Sequence, residues 1–286
     1  MATVPLSEIP TLTLLYKLNK LSPSDDPSTT ATARYNDKIS IIRKDITKLE
    51  TDAIVNAANE SLLGGGGVDG AIHAAAGEEL LDECRELDGC DTGSAKITGA
   101  YELPCKKVIH AVGPVYWTTK KHGLHAKLLS GCYTKSLELA VENGCRSLAF
   151  SALSTGVYGY PSGEAAETAI RAVKGWLEED DERANKIERV VFCQFMEKDQ
   201  RAYEHFTPKY FAPAAEEESK ESEDKVDAEE DAQEDARADA KEDPEEPKDE
   251  ASEAGKVPDL PEVPTKEPKE PDEPEPKKQK LDDGKD

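Results

Sequence analysis

Long apolar runs, a basic N-terminal segment and paired cysteines are all missing from the 286-residue sequence. No stretch approaches the ~18 continuous apolar residues of a membrane span. The start, MATVPLSEIP, lacks the basic segment of a secretory signal, so we expect neither a membrane protein nor a secreted one. The six cysteines form no CxxC pair and no short-range group with histidine, so we predict buried thiols in a reducing compartment and no disulfide frame or zinc site.

Aromatic residues, Cys, Met and Ile are absent from the segment Glu216 to Asp286. The segment holds 30 of the 60 acidic residues, 12 of the 36 basic residues and nine of the 18 prolines, so it carries most of the net charge of −24. Such a composition cannot bury enough apolar surface to offset the entropy that ordering costs. We therefore predict a disordered acidic tail, rich in Pro, Glu and Lys, over residues 212–286, behind one folded domain.

A basic surface is also lacking, because residues 1–215 contain 30 acidic and 24 basic residues. This balance argues against direct binding of nucleic acid. The tail contains one short basic cluster, Lys277 to Lys280, of a kind that can serve as a nuclear localisation signal. We expect a nuclear protein, a cytoplasmic one or both, and a tail that is either a solvated spacer or a site for a partner that the sequence does not identify.

The rest of the chain alternates between strand-like and helix-like patterns. Residues 1–35 predict an N-terminal extension, in which a Leu-rich helix packs on the domain and a linker follows. Apolar stretches predict strands at 38–44, 52–58, 106–113, 146–153 and 188–195. Helical spacing predicts helices at 70–87 (interrupted near Gly77), at 124–142, and at 162–178 with Ser162 as a cap. The alternation favours an α/β sandwich with a largely parallel sheet, which binds ligands at the carboxyl ends of its strands.

Four consecutive glycines, Gly64 to Gly67, lie between a predicted strand and a predicted helix. Glycines cost conformational entropy, but they let bare backbone approach a ligand, with N–H groups and a helix N-terminus behind. The loop is therefore a candidate phosphate site, with a flexible turn as the alternative. No GxxxxGK[ST] or GxGxxG pattern accompanies it, so neither a P-loop nor a dinucleotide fingerprint is present. A second strand-to-helix turn, residues 151–162, is rich in hydroxyls and glycine, and the two loops together could hold a diphosphate from both sides.

Three polar residues flank the first loop. Asp69 is either a helix N-cap or a functional carboxylate, which the helix dipole would keep ionised, able to orient a water but weakly basic. Asn56 and Asn59 end a strand, where an asparagine is unfavourable, and Asn59 is either a turn residue or a partner for sugar hydroxyls.

The histidines and aromatics of this region have less specific patterns. His73 and His110 are expected to be packed and hydrogen-bonded, with His73 also a candidate for support at the site. No GxSxG motif supports a Ser/His/Asp triad. Phe192 and Phe195 end the last strand, where each is either core or a platform for a base.

An ordered set of motifs resembles the macrodomain family, in particular its MacroD-type branch. The motifs are Asp45-Ile46-Thr47, DAIVNAAN, GGGGVDGAIHAAAG, the segment 88–114 with Asp88 in place of Asn at its start, LSTGVYGYP and VVFCQF, within residues 36–211. The resemblance implies one domain over those residues, a three-layer α/β/α sandwich around a mixed, largely parallel sheet. The sequence departs from the branch at Lys44, where a glycine is usual, and at Ala74, where an arginine is frequent; these departures bear on affinity rather than on reaction class.

The resemblance also implies a function and a set of site residues. It implies a monomeric hydrolase, without cofactor or metal, that binds ADP-ribose, removes mono-ADP-ribose ester-linked to Asp or Glu side chains of proteins, and deacetylates O-acetyl-ADP-ribose. Asn59 and Asp69 would be catalytic, positioning the distal ribose and the attacking water. The residues implied in ligand binding are Asp45, Ile46, Gly65, Gly66, Gly67, Val68, Ser154, Thr155, Gly156, Val157, Tyr158 and Phe195.

Three other functions stay open on the sequence. The first is a module that binds ADP-ribose without hydrolysing it, although such modules typically lack the Asn and Asp pair. The second is a phosphatase that acts on ADP-ribose 1″-phosphate. The third is an acidic interaction protein, histone- or chaperone-like, that acts through its tail.

Overall fold

The computed structural model describes residues 2–214 of the chain. The predicted acidic tail, except for residues 212–214, and the basic cluster Lys277 to Lys280 lie outside the described residues.

The N-terminal segment packs on the main body of the fold. Strand β1 (Val4–Pro5) pairs in parallel with β3 (Leu49–Glu50), and helix α1 (Leu12–Lys17) follows β1. The Thr11 side chain accepts a hydrogen bond from the Leu14 N–H and so caps α1. Because Leu12 and Leu15 are buried in the main core, the predicted packing of this helix on the domain is present in the structure.

A six-stranded sheet forms the centre of the molecule, in the order β2-β8-β7-β4-β6-β5. The strands are β2 (Ile39–Arg43), β4 (Ala53–Ala58), β5 (Ala95–Gly99), β6 (Lys107–Val112), β7 (Ser147–Phe150) and β8 (Arg189–Gln194). Neighbouring strands are parallel, except that β5 runs antiparallel to β6. The five strands predicted from apolar stretches are confirmed, whereas no apolar stretch predicted the edge strand β5.

Seven further α-helices lie in the described part of the chain, six of them between strands and the seventh after the last strand. They are α2 (Gly67–Ala76), α3 (Glu78–Glu86), α4 (Tyr116–Lys120), α5 (His125–Glu142), α6 (Ser162–Glu179), α7 (Asp181–Asn185) and α8 (Glu197–Tyr210). The predicted interruption between α2 and α3 lies at Gly77, whose φ of 88° is in the left-handed region. The expected cap of α6 is wrong, since the Ser162 hydroxyl donates to Asp199 Oδ1 on α8 (2.6 Å) and makes no cap hydrogen bond.

The two faces of the sheet pack in two separate apolar clusters. Along β4, Ala53 and Val55 belong to the cluster that contains residues of α1, α5, α6 and α8. Ile54 and Ala58 belong to the cluster that contains residues of α2 and α3. Since alternate residues of a strand point to opposite faces, helices cover both sides of the sheet and the three-layer sandwich is confirmed. No helix among residues 2–214 is long and apolar enough to cross a membrane.

Five parallel strands end at the same edge of the sheet, and the predicted site segments follow those ends. Along this edge the order is Asp45 after β2, Phe195 after β8, the loop after β7, the glycine loop after β4, and Gly113 after β6. Segments that are far apart in sequence therefore lie next to one another at the carboxyl edge, where parallel sheets bind ligands.

Candidate active site

The glycine loop leads from β4 directly into the N-terminus of α2. Gly66 is the N-cap residue and makes no side-chain cap hydrogen bond. A side chain at Gly66 or Gly67 would meet open space, and Gly67 has a φ of 62°, which favours glycine. The first turn of α2 therefore presents backbone N–H groups in an open position, as an anion site requires.

Asp69 is the third residue of α2, so the N-cap interpretation is wrong. Its side chain is buried, with 4% of the residue exposed, and its Oδ1 accepts a hydrogen bond from Asn56 Nδ2 at 2.6 Å. His73 Nε2 lies 3.5 Å from the same oxygen. Burial raises the pKa of Asp69, while the Asn56 hydrogen bond and the charge of His73 oppose that rise. The expectation that Asp69 is only weakly basic is therefore wrong, because desolvation outweighs the effects that favour its ionised form.

Asn59 holds the glycine loop together. Its Nδ2 donates to the Gly64 carbonyl at 2.9 Å, and its Oδ1 accepts from the N–H and the hydroxyl of Ser61. A Cβ at Gly65 would lie 3.1 Å from Asp69 Oδ2 and 3.5 Å from Asn59 Nδ2. The structure thus brings Asn59 and Asp69 close to the Cβ position of Gly65, in the loop that follows β4.

The second loop carries a strained residue at its start. Ser154 is buried and has a φ of 64°, a left-handed conformation that is uncommon outside glycine. Gly113, after β6, lies so close that an added Cβ would overlap Ser154 Oγ. On the far side of the loop, Lys198 Nζ on α8 donates to the Thr155 carbonyl at 2.9 Å. The loop is therefore fixed from two directions, by Gly113 and Lys198, neither of which was among the predicted site residues.

The tip of the second loop points into solvent. Gly156 meets no neighbour at its Cβ position, and Val157 is fully exposed. Tyr158 is half-buried, and its carbonyl accepts a hydrogen bond from the Tyr116 N–H of α4 at 2.9 Å. An exposed apolar tip on an anchored loop is an arrangement that can cover a ligand.

Asp45, Ile46 and Phe195 lie at the far end of the edge, after β2 and β8. Asp45 Oδ1 accepts from the N–H and the hydroxyl of Thr47, at 3.0 and 2.7 Å, and caps a 3₁₀ helix (Ile46–Lys48). Phe195 is 72% exposed, whereas Phe192 is fully buried. Phe192 is therefore core, and Phe195 is an exposed aromatic surface on which a base could stack.

Behind Asp69 lies a buried polar cluster. Asn56 on β4 and His110 on β6 are direct neighbours in the sheet, and Asn56 Nδ2 lies 3.2 Å from His110 Nδ1. His110 Nε2 lies 3.0 Å from Thr98 Oγ1 on β5 and 3.6 Å from Cys84 Sγ on α3. The sequence signal for this cluster is a polar residue at an inward position of an apolar strand, in both DAIVNAA and KKVIHAV. It does not identify which residues meet.

His73, Cys84 and His110 each offer a ligand atom, and these atoms lie within 4.8 Å of one another. The thiolate is the form of cysteine that binds metals, but burial raises the pKa of Cys84 to about 11. We therefore interpret Cys84 and His110 as part of the buried polar cluster. The expected hydrogen bonding is present for His110, whereas His73 Nε2 has no hydrogen-bond partner among residues 2–214. All six cysteines lie among the described residues and are free thiols, and five of them are buried, as predicted.

Comparisons with known proteins agree with this geometry. The family model described as "Macro domain" matches residues 55–169, which include both loops and Asp69. "Macro domain-containing protein CT2219" of Chlorobaculum tepidum is 57% identical over 166 residues, which cover 58% of this chain and 93% of that one. The chain belongs to the macrodomain family.

Two further proteins are similar to this macrodomain. Mouse "ADP-ribose glycohydrolase MACROD1" is 52% identical over 190 residues, which cover 66% of this chain and 58% of the mouse protein. The solved structure of a Trypanosoma brucei macrodomain in complex with ADP-ribose has a TM-score of 0.59 and 38% identity, and it covers 71% of this chain and 76% of that one. The macrodomain described here thus spans less than two thirds of the length of the mouse protein.

The two departures from the branch pattern lie on the surface of this macrodomain. Lys44 is exposed, and its N–H donates to the Gln194 carbonyl at 3.1 Å, so the backbone there continues the pairing of β2 with β8. Ala74 is exposed on α2. Neither residue disturbs the hydrogen bonds described for Asn59 and Asp69.

Proposed function

We propose that this macrodomain is a hydrolase that binds ADP-ribose and releases it from the ester it forms with Asp or Glu side chains of proteins. The same pocket would deacetylate O-acetyl-ADP-ribose, which is also a ribosyl ester. The observation that carries the proposal is the buried carboxylate of Asp69, held by Asn56 and lying beside the backbone of the glycine loop. The names and the ADP-ribose complex of the similar proteins support the choice of ligand.

The diphosphate would be bound mainly by backbone. The glycine loop at Gly65 to Gly67, with Val68, would contribute N–H groups and the N-terminus of α2, and residues 154–158 would close over the opposite side. This mode of binding explains how a domain with a negative net charge could hold an anion. In the order of the strands, the adenine would lie at Asp45, Ile46 and Phe195, and the distal ribose at Asn59 and Asp69.

Asp69 would act on the attacking water. The raised pKa of a buried carboxylate makes it a stronger base than a carboxylate in water, so Asp69 could both orient the water and accept its proton. The water breaks the ester to the ribose, leaving a ribose hydroxyl on ADP-ribose and a free carboxyl on the protein. Positioning of the water and ester contributes on its own, up to roughly 10 kcal/mol in the best-oriented reactions. A phosphate of the ligand could share the proton transfer.

The test compares the full chain on proteins that carry mono-ADP-ribose on Glu, on Ser or on Arg. We expect release from the Glu-linked substrate alone, because ADP-ribose is attached to Ser by an O-glycosidic bond and to Arg by an N-glycosidic bond, and neither bond is an ester. Asp69→Ala should lower kcat by about 10²-fold or more, since general-base catalysis contributes that much. Its Kd for ADP-ribose, measured by calorimetry, should stay within about threefold of wild type, because backbone groups carry the binding.

Asp82→Ala is the matched control, because Asp82 is an exposed carboxylate on the neighbouring helix α3. It should leave both kcat and Kd unchanged. Tight binding of ADP-ribose by the wild type without turnover of any substrate would identify a reader module instead. Release of phosphate from ADP-ribose 1″-phosphate, with no action on the Glu-linked protein, would identify a phosphatase.

We also propose that the protein acts as a monomer on ADP-ribosylated proteins in the nucleus, the cytoplasm or both. The basic cluster Lys277 to Lys280 supports the nuclear part of this proposal. A fluorescent fusion with Lys277, Lys278 and Lys280 changed to Ala should shift from nucleus to cytoplasm. An unchanged distribution would remove the cluster as a signal.

A further inference from the structure

Four polar side chains form a continuous buried hydrogen-bond network behind the proposed active site. Thr98 on β5, His110 on β6, Asn56 on β4 and Asp69 on α2 are each at most 4% exposed. Asn56 and His110 occupy inward positions of strands whose other inward residues are apolar. Burying such groups is costly unless they are hydrogen-bonded, so their contacts need an explanation.

The donors and acceptors of these four side chains are consistent with one arrangement, in which each hydrogen bond is donated towards Thr98 from His110 and away from Asn56. The Thr98 hydroxyl donates to the Gly99 carbonyl at 2.9 Å, so it accepts from His110 Nε2 at 3.0 Å. A neutral imidazole with its proton on Nε2 has an acceptor at Nδ1, which receives an N–H of Asn56 at 3.2 Å. The second N–H of the same amide donates to Asp69 Oδ1 at 2.6 Å.

His110 stays neutral in this position. Burial lowers its pKa to about 3, and no carboxylate makes a hydrogen bond to it among residues 2–214. A protonated ring would carry N–H groups on both nitrogens and could not accept from Asn56. The neutral ring therefore presents an acceptor to Asn56 at neutral pH.

The acceptors at His110 and Asp69 both favour the same orientation of the Asn56 amide. Asn56 Oδ1 is buried and has no hydrogen-bond partner in the part of the chain that the structure describes. Without His110, a rotation of the amide by 180° would turn this oxygen towards Asp69 and would be opposed by the Asp69 contact alone. With His110 present, that rotation would cost two hydrogen bonds.

We propose that His110, through Asn56, is a positioning residue for the Asp69 carboxylate. The proposal rests on the proposed function, since it takes Asp69 as the group that acts on water. His110 touches neither the substrate nor the reacting atoms. It acts by fixing the orientation of the amide that holds Asp69.

The variants that test this are His110→Leu, which removes the acceptor, and His110→Asn, whose amide oxygen can replace Nδ1. On Glu-linked mono-ADP-ribosylated protein, His110→Leu should lower kcat by about 10²-fold at most, as expected for a misplaced catalytic group. The Kd for ADP-ribose should be unchanged, and His110→Asn should recover most of kcat. Val108→Ala, on the same face of β6, is a control for lost packing, and it should leave kcat at the wild-type level.

The pH profile separates positioning from simple loss of stability. The titratable groups around Asp69 are His73 on its own helix, Cys84 on α3, His110 on β6 and Tyr158 on the second loop. Because the Asn56 hydrogen bond lowers the pKa of Asp69, weakening it should move the acidic limb of kcat to higher pH in His110→Leu. The limb should return towards wild type in His110→Asn.

Two results would contradict the positioning role of His110, and two others would contradict the proposals on which that role rests. Nitrogen-15 NMR of the wild type should show His110 as the Nε2–H tautomer, and a protonated Nδ1 would contradict the direction of the hydrogen bonds in the network. A wild-type kcat and pH profile in His110→Leu, with Asp69→Ala inactive, would contradict the positioning role of His110 and leave the proposed function intact. Full activity in Asp69→Ala would instead contradict the role proposed for Asp69, whereas failure of the proposed function would appear as no turnover of the Glu-linked protein by the wild type.

Discussion

Asp69 shows how the surroundings of one residue can reverse an expectation based on its position. A carboxylate in the first turn of a helix is normally stabilised in its ionised form by the helix dipole. Here burial raises the pKa of Asp69, and only the Asn56 amide and His73 oppose that effect. The ionised carboxylate is therefore held in a site that disfavours its charge.

We predict that Asp69→Asn stabilises the fold while it abolishes turnover. The folded-state pKa lies above the unfolded one, so the ionised carboxylate lowers stability at neutral pH, and a neutral amide of the same shape removes that cost. The gain should be on the order of 1 kcal/mol, or about 2–4 °C in Tm for a domain of this size. Scanning calorimetry measures it at about pH 7.5.

Asp82→Asn serves as the comparison for this stability measurement, since Asp82 is exposed on α3. Its Tm should not rise. A lower Tm in Asp69→Asn would mean that the ionised carboxylate contributes more to the fold through its contacts than its burial costs.

At the scale of elements, α2 and the glycine loop are packed against each other more closely than sequence patterns show. Gly70 lies inside α2, where alanine would ordinarily favour the helix. A Cβ at Gly70 would, however, lie 2.6 Å from the carbonyl oxygen of Gly65. The loop that is proposed to bind the diphosphate is thus seated directly on the helix that follows it.

We predict opposite effects of Gly→Ala at two helical positions. Gly70→Ala should push the Gly65 carbonyl away, weaken ADP-ribose binding and lower the free energy of unfolding by about 1–3 kcal/mol, as overpacking does. Gly175 in α6 meets no atom at its Cβ position, so Gly175→Ala should raise stability by about 1 kcal/mol. Urea unfolding and calorimetric titration measure both. A stabilised Gly70→Ala with normal binding would contradict the close packing.

Most of the elements could be predicted from the sequence because their signals are local. The five parallel strands are apolar stretches, and the interruption between α2 and α3 coincides with Gly77. The edge strand β5 was not predicted, since its pairing with β6 comes from a tertiary contact rather than from a strong apolar pattern. The Ser162 cap failed for a similar reason, because Asp199 from another helix takes its hydroxyl.

At the scale of the whole molecule, the N-terminal segment contributes to the core although it lies outside the residues that match the family model. Leu12 is fully buried, whereas Leu14 on the same helix is exposed. We predict that Leu12→Ala lowers the free energy of unfolding by about 2–5 kcal/mol, the usual cost of removing a buried leucine side chain. Leu14→Ala should change it by about 0.5 kcal/mol or less. Equal effects in urea unfolding would mean that α1 does not pack as described.

The stability of the whole fold should also depend on pH through His110. Burial lowers its pKa to about 3, while the unfolded chain titrates near about 6.5. The contribution of His110 to the free energy of unfolding is therefore full above the unfolded-state pKa and falls as the pH drops below that pKa. From about pH 7.5 to about pH 5.5, we expect His110 to account for a loss of about 1.4 kcal/mol in the free energy of unfolding.

The measurement is the difference between the wild type and His110→Asn, both unfolded with urea at the two pH values. Taking the difference removes groups that titrate in both proteins, including Asp69, whose contribution has the opposite sign. A pH dependence that persists unchanged in His110→Asn would show that other groups carry it.

The sequence by itself determined the features that depend on local composition. The glycine loop, the second loop, the five parallel strands and the acidic composition of residues 216–286 are all visible in short stretches. The tertiary structure alone decided the surroundings of Asp69, which come from β4, β5, β6 and α3. The reason is physical: burial and hydrogen-bond direction depend on groups that are adjacent in space but separated along the chain, and they set the pKa of a carboxylate more strongly than its sequence neighbours do.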